Sequence, residues 1–110
     1  MNAVTTENHP RHDLVPELNS PVRLSVVAAL ARVEEMDFAS LRDVAELSDA
    51  TLSKQLSQLE NSGLVIINKV FVGKRPKTWI RISASGLSAL DRHMDALLRL
   101  AGRTTTATEG

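Results

Sequence analysis

From Ser20 onward, apolar residues recur in blocks whose spacing changes from helical to alternating and back. Val22, Val26, Ala29, Leu30 and Val33 fall on one face of a helix, in the steps of three and four that a 3.6-residue turn produces. Ser20 and Pro21 stand before them, a residue that caps free amides and one that gives up no hydrogen bond at the first helical position. Glu34-Glu35 marks the expected end. A second, short helix is predicted after Asp37, whose carboxylate suits a cap with Ser40 at its third position. Leu41, Val44, Ala45 and Leu47 supply its buried stripe. Leu47-Ser48-Asp49 reads as a tight turn, with Ser48 or Asp49 capping a third helix over residues 50–61 and Gly63 just past its end.

The period then changes. Residues 64–67 and 78–82 are rich in β-branched and aromatic side chains, and the second run alternates. The stretch Val72-Gly73-Lys74-Arg75-Pro76-Lys77 joins them, and its glycine and proline predict a hairpin loop. Met36-Asp37-Phe38 is a short extended segment able to add a third strand. Ser83 caps a long helix expected over residues 84–103, where Leu87, Leu90, Met94, Leu97 and Ala101 alternate steps of three and four, and Leu98 and Leu100 widen the stripe. The order is three helices, a small β-hairpin and a final helix, a mainly α, α+β chain. Residues 1–16, polar with two prolines, read as a mobile arm; 17–103 as one domain; 104–110 as a disordered tail.

Composition narrows the class. A chain of 110 residues has room for one domain, and 43% apolar residues suffice for a core, which three aromatics (Phe38, Phe71, Trp79) leave mostly aliphatic. Without cysteine there are no disulfides, thiolate metal sites or thiol redox chemistry. No apolar run approaches a membrane span, and the first residues lack the apolar stretch of a secretory signal, so a cytoplasmic location is expected. Net charge is zero, but its distribution is uneven. Residues 1–40 carry three basic and six acidic side chains, whereas residues 64–82 carry Lys69, Lys74, Arg75, Lys77 and Arg81 and no acid. A duplex responds to the local field of the patch that touches it. Five cations on one hairpin also suit plain solubilisation of a strand edge, so both readings stand at this point.

The third helix carries the candidate chemistry. With Leu52, Leu56 and Leu59 facing the core, Ala50, Lys54, Ser57 and Asn61 point directly away, flanked by Thr51, Ser53 and Gln58, while Gln55 lies nearer the packed side. Small polar side chains let a helix sink into a major groove. Lys54 can reach a guanine edge or a phosphate, Gln58 can pair with adenine, and Thr51 and Ser53 can meet thymine methyls or phosphate oxygens, with Ser48 and Ser57 also on the DNA-binding surface. Lys74, Arg75 and Lys77 on the hairpin loop reach the backbone or the adjacent minor groove, whereas Lys69 and Arg81 make backbone contacts or are merely solvated. Trp79 reads more naturally as packed than as a base-stacking ring. The repeat on the last helix suits pairing with its counterpart in a second subunit, through Leu87, Leu90, Met94, Leu97, Leu98 and Ala101 with Leu14, Val15 and Leu18 alongside; the bland reading is that it covers its own domain.

Pro21-Val22-Arg23-Leu24, Phe38-Ala39-Ser40-Leu41, residues 47–56, Leu59-Glu60-Asn61-Ser62-Gly63-Leu64-Val65 and residues 81–90 together resemble bacterial winged helix-turn-helix regulators, of the short single-domain kind related to the MarR and ArsR groups. The resemblance implies a winged helix-turn-helix with a long C-terminal dimerisation helix, acting as a homodimer on a palindromic site in double-stranded DNA, with no cofactor. Some ArsR-type sensors open a zinc site with Asp-x-His, which Asp91-Arg92-His93 matches, but Thr104 stands where the partner histidine is expected. Two donors make no tetrahedral site. The histidines lie in the arm (His9, His12) or amid exposed charges (His93), and no nucleophile turn or phosphate loop is present, so an enzyme is not expected. The competing class is a winged helix that binds protein instead of DNA, which the neutral charge and Glu60 favour. A small-molecule effector is left open by the sequence.

Overall fold

The computed structural model describes residues 9–103. Residues 1–8 of the expected arm and the whole expected tail, 104–110, lie outside them. Four helices and three strands follow in the order α1 (Pro21–Leu30), β1 (Met36–Asp37), α2 (Phe38–Ala45), α3 (Asp49–Asn61), β2 (Val65–Val72), β3 (Arg75–Ile82) and α4 (Ala84–Leu100). The expected fold class holds: three helices, a hairpin and a long helix.

The caps were legible. Ser20 Oγ accepts from the Arg23 amide at 3.2 Å, Asp37 Oδ2 from the Ser40 amide at 3.3 Å, Ser48 Oγ from the Thr51 amide at 3.1 Å and Ser83 Oγ from the Gly86 amide at 2.9 Å. Each side-chain oxygen satisfies a donor that the helix itself leaves free. Ser83 does a second job, donating its hydroxyl to the Gly63 carbonyl at 2.6 Å and so tying the end of α3 to the start of α4. Gly86 lies so close to this junction that a methyl group there would overlap the Leu64 carbonyl oxygen and crowd Ile82. Glycine is what lets α4 lie against the base of the hairpin.

Details of the elements differ from expectation, and α4 ends at Leu100, short of residue 103. α1 ends at Leu30, four residues early, because the Arg32 and Val33 amides turn back to the carbonyls three residues before them. Val33 is thereby carried off the buried face. On α2, Phe38, Leu41 and Ala45 pack on the core, and Val44 is 60% exposed. The hairpin is longer and its turn tighter than the composition suggested: only Gly73 and Lys74 lie between the strands, and Arg75 to Lys77 belong to β3. Gly73 has a φ of 67° and Lys74 a negative one, the pattern of a two-residue turn with glycine first, whose twist matches that of the strands it joins. Pro76 is tolerated in β3 because it lies beyond the stretch that β1 pairs.

The sheet is antiparallel in the order β1-β3-β2, with Met36 opposite Ile80, Asp37 opposite Trp79, and the hairpin register running from Val65–Ile82 to Val72–Arg75. The anticipated third strand is present. The core joins Val26, Val27 and Leu30 of α1, Leu41, the three leucines of α3, Leu64, Val65 and Ile80. Trp79, half-buried, lies on the other face of β3 from Ile80.

The N-terminal segment corrects two expectations. In place of an unstructured arm, residues 10–18 form 3-10 turns at Pro10–Asp13 and Pro16–Leu18, and the first of them packs along α4. Val15 and Leu18 are buried in the chain's own core, so neither side chain is offered to a second subunit; of the three residues expected there, Leu14 alone keeps exposed surface. His93 is buried, not exposed, at 2% accessibility. Its Nδ1 accepts the Val15 amide at 3.0 Å, which fixes the ring proton on Nε2. Burial pushes the imidazole below its ordinary pKa. Asp13 adds an exposed pair with Arg99 at 2.8 Å.

Candidate nucleic-acid interface

Leu52, Leu56 and Leu59 hold α3 against the core, and this fixes the direction of everything else on the helix. Ala50, Ser53, Lys54, Ser57, Gln58 and Asn61 are exposed; Thr51 and Gln55 are half-buried. Ser48 lies within 3.0 Å of the Thr51 hydroxyl while capping the helix, so both side chains are occupied in starting α3. Asp49 would place a negative charge beside the polar face of α3. Arg42 offsets it: its Nη1 lies 2.9 Å from Asp49 and its Nε 3.1 Å from Asp43, and the two carboxylates hold the guanidinium above its usual pKa. The pairs are exposed and add little stability; their effect is on the local field.

α3 and the hairpin are neighbours and enclose a groove of about 510 Å³ lined by Ser53, Leu56, Ser57 and Glu60 from the helix, Phe38, and Ile67, Lys69 and Thr78 from the strands. Two of the residues expected to read DNA, Ser53 and Ser57, thus share one concave surface with a cation of the hairpin. That cation is Lys69, which the sequence left between backbone contact and solvation. Cross-strand register explains it: Lys69 pairs with Thr78, and both lie on the side of the hairpin that carries Ile67 and Ile80.

The same alternation sends Arg75, Lys77 and Arg81 to the opposite side with Trp79. Lys77 Nζ sits 4.9 Å from the centre of the Trp79 ring, a cation–π contact, and also draws the nearby Asp37 carboxyl below its usual pKa, after the larger effect of the Ser40 hydroxyl bond. Lys74 is at the turn itself. The wing cations expected to act together therefore divide, Lys74 at the tip and Arg75 and Lys77 behind it, while Lys69 faces α3.

One feature of this surface escaped sequence reasoning. Arg23, in the first turn of α1, donates through Nη1 to Gln55 Oε1 and to Gln58 Oε1, each at 3.0 Å, and through Nε to the Glu17 carbonyl at 2.7 Å. Arg23 entered the sequence reading only as part of the Pro21-Val22-Arg23-Leu24 stretch; its partners lie 32 and 35 residues away. His93, the residue singled out by the Asp-x-His spacing, has its Nδ1 engaged by Val15 and lies away from this surface on α4.

A short helix, a turn and a second helix with a small polar face, flanked by a basic hairpin, define a winged helix-turn-helix module. Residues 22–101 match the winged helix DNA-binding domain family, and the chain belongs to that family. It is similar to an uncharacterized protein of Methanocaldococcus jannaschii, 33% identical over 82 residues that make up 74% of this chain and 89% of that one. Among solved structures it is similar to a transcriptional regulator homologue from Pyrococcus horikoshii, with 28% identity and a TM-score of 0.73 over 79% of this chain and 86% of the other. It shares its fold with AbsC, a MarR family transcriptional regulator from Streptomyces coelicolor, at 21% identity and a TM-score of 0.64, over 83% of this chain and 65% of AbsC. The class is a DNA-binding transcriptional regulator with a MarR-like fold. Among the described residues no helix is long and apolar enough to cross a membrane.

Proposed function

We propose that the chain is a homodimeric regulator that reads a palindromic operator, α3 entering the major groove and the hairpin lying along the adjacent backbone. The observation that carries this reading is the shared groove, in which Ser53 and Ser57 of α3 stand beside Lys69 and Thr78 of the wing. Thr51, Ser53, Lys54, Ser57 and Gln58 make the base and phosphate contacts of the helix, with Ser48 at its start. Lys69 and Lys74 meet the nearest phosphates, and Arg75 and Lys77 reach them from the far side of the wing tip. A two-fold axis between α4 helices sets the reading helices about 34 Å apart, in successive major grooves. The exposed apolar positions of α4 support that pairing.

Selection of bound fragments from a random duplex pool tests both parts. The expected product is an inverted repeat with half-sites about one helical turn apart. Affinity for it falls with salt by about 0.9 log units per tenfold for each phosphate neutralised, so Lys69→Ala with Lys74→Ala, which removes two contacts from each subunit of the dimer, flattens the slope by about three to four. An unenriched pool would refute the reading and favour a protein-binding winged helix, and a slope that this double variant leaves unchanged would refute the phosphate contacts assigned to the wing.

A further inference from the structure

We infer that Arg23, outside the reading helix, sets which bases that helix accepts by holding the carboxamide of Gln58 in one orientation. The inference rests on the proposed reading role of α3. The guanidinium is fixed at three acceptors: the Glu17 carbonyl at 2.7 Å, and the side-chain oxygens of Gln55 and Gln58 at 3.0 Å each. Glu17 is itself held in place, since the neighbouring Leu18 is buried in the core. Arginine has donors only, so the atom that each glutamine turns toward it must be the oxygen; the orientation is dictated by chemistry.

The consequence falls on the exposed member of the pair. Glutamine recognises adenine by accepting from N6 and donating to N7 at once, which needs the oxygen and the amide side by side toward the base. With its oxygen turned back to α1, Gln58 presents its amide donors. These suit N7 and O6 of guanine, O4 of thymine or a phosphate oxygen; at adenine they find N7 alone and face the N6 donor with a donor, so the bidentate pairing is lost. Gln55, half-buried on the same guanidinium, braces the arrangement. The adenine pairing expected for Gln58 from its residue type is thus closed off by a side chain from another helix.

Pool selection with the full chain tests this, using wild type, Gln58→Ala, Arg23→Met and Arg23→Lys, each checked for folding by thermal melting. Gln58→Ala identifies the base position that Gln58 reads. At that position wild type is expected to enrich guanine or thymine over adenine. Arg23→Met, which keeps most of the stem but no donor, frees the oxygen and raises adenine there by about fivefold or more, the scale of one bidentate contact. Arg23→Lys, with one compact ammonium in place of the fork, shifts the preference the same way but less. If Arg23→Met does not fold, the wild-type and lysine pools still decide.

Adenine enriched by wild type at the Gln58 position overturns the inference. So does an unchanged preference in the folded Arg23 variants, or a uniform loss of affinity at every position, which would make Arg23 a phosphate contact or a structural brace. A Gln58→Ala pool identical to wild type overturns it while leaving a reading role for the rest of α3. Pools that enrich nothing would remove both this inference and the operator-reading proposal.

Discussion

At the scale of single residues, His93 joins the fold to solution conditions. Its ring is buried and its Nδ1 accepts the Val15 amide, so protonation would replace an acceptor by a donor facing a donor. Burial lowers its pKa below the ordinary 6.5. The unfolded chain therefore takes up a proton near pH 6.5 that the folded chain refuses. Stability from this group is complete above the unfolded pKa, declines as pH falls below it, and is lost once the folded pKa is passed. The melting temperature of wild type is expected to fall between pH 7 and pH 5, whereas His93→Gln, which keeps an acceptor for Val15 and cannot titrate, is flat across that window. Equal slopes for the two proteins would show that the histidine does not carry this dependence. Because Val15 anchors the segment docked on α4, its amide is expected to lose exchange protection first on acidification.

Among the elements, the turn between α2 and α3 holds the one non-glycine residue at positive φ among the described residues, Glu46 at 56°. The Leu47 amide reaches back to the Arg42 carbonyl at 3.0 Å, the bond that closes a helix through a left-handed residue. An L side chain in that conformation costs about 1–2 kcal/mol, partly offset by the freedom glycine gains when unfolded. Glu46→Gly is expected to stabilise by about 1 kcal/mol and raise the melting temperature by about 4–8 °C in a domain of this size. DNA affinity is expected to stay the same, since Glu46 lies outside the groove. A neutral or lower melting temperature would show that the turn is not under strain. What was legible in the sequence follows from the same locality. Ser20, Asp37, Ser48 and Ser83 cap helices through partners three residues on, and the leucines of α3 fix its outward face by spacing alone. Arg75, Pro76 and Lys77 resemble a loop by composition, but strand pairing claims them once Gly73 makes the turn. The burial of His93 was beyond reach of any local pattern, because its partner lies 78 residues away. The Arg23 bridge and the placement of Lys69 in the groove likewise depend on how distant elements meet.

For the whole molecule, the proposed dimer contact falls on α4. Seventeen residues extend about 25 Å, and the helix uses only part of its circumference internally: Gly86, His93 and Ala96 are buried, and Ala89 and Leu90 pack against the core. Beside that face run Leu87, Met94 and Ala101, seven residues apart, with Leu87 45% and Met94 41% exposed. A seven-residue apolar repeat left in solvent suits the same stripe on a second copy, where each covers the other about a two-fold axis. Val15 and Leu18 are buried in their own core, so the proposed interface rests on the helix and Leu14. Leu87→Glu with Met94→Glu is expected to give a folded monomer, visible as a halved mass in sedimentation at micromolar concentration. Both side chains are already substantially exposed, so the melting temperature of the separated chain needs little from them. Binding to a palindromic duplex is expected to fall by about 10²–10⁴-fold, because a dimer engages its second half-site at millimolar effective concentration and a monomer does not. Binding to a single half-site is expected to change little. A variant that remains dimeric would move the two-fold axis elsewhere on the molecule, and a wild type that sediments as a monomer both with and without DNA would remove the axis altogether.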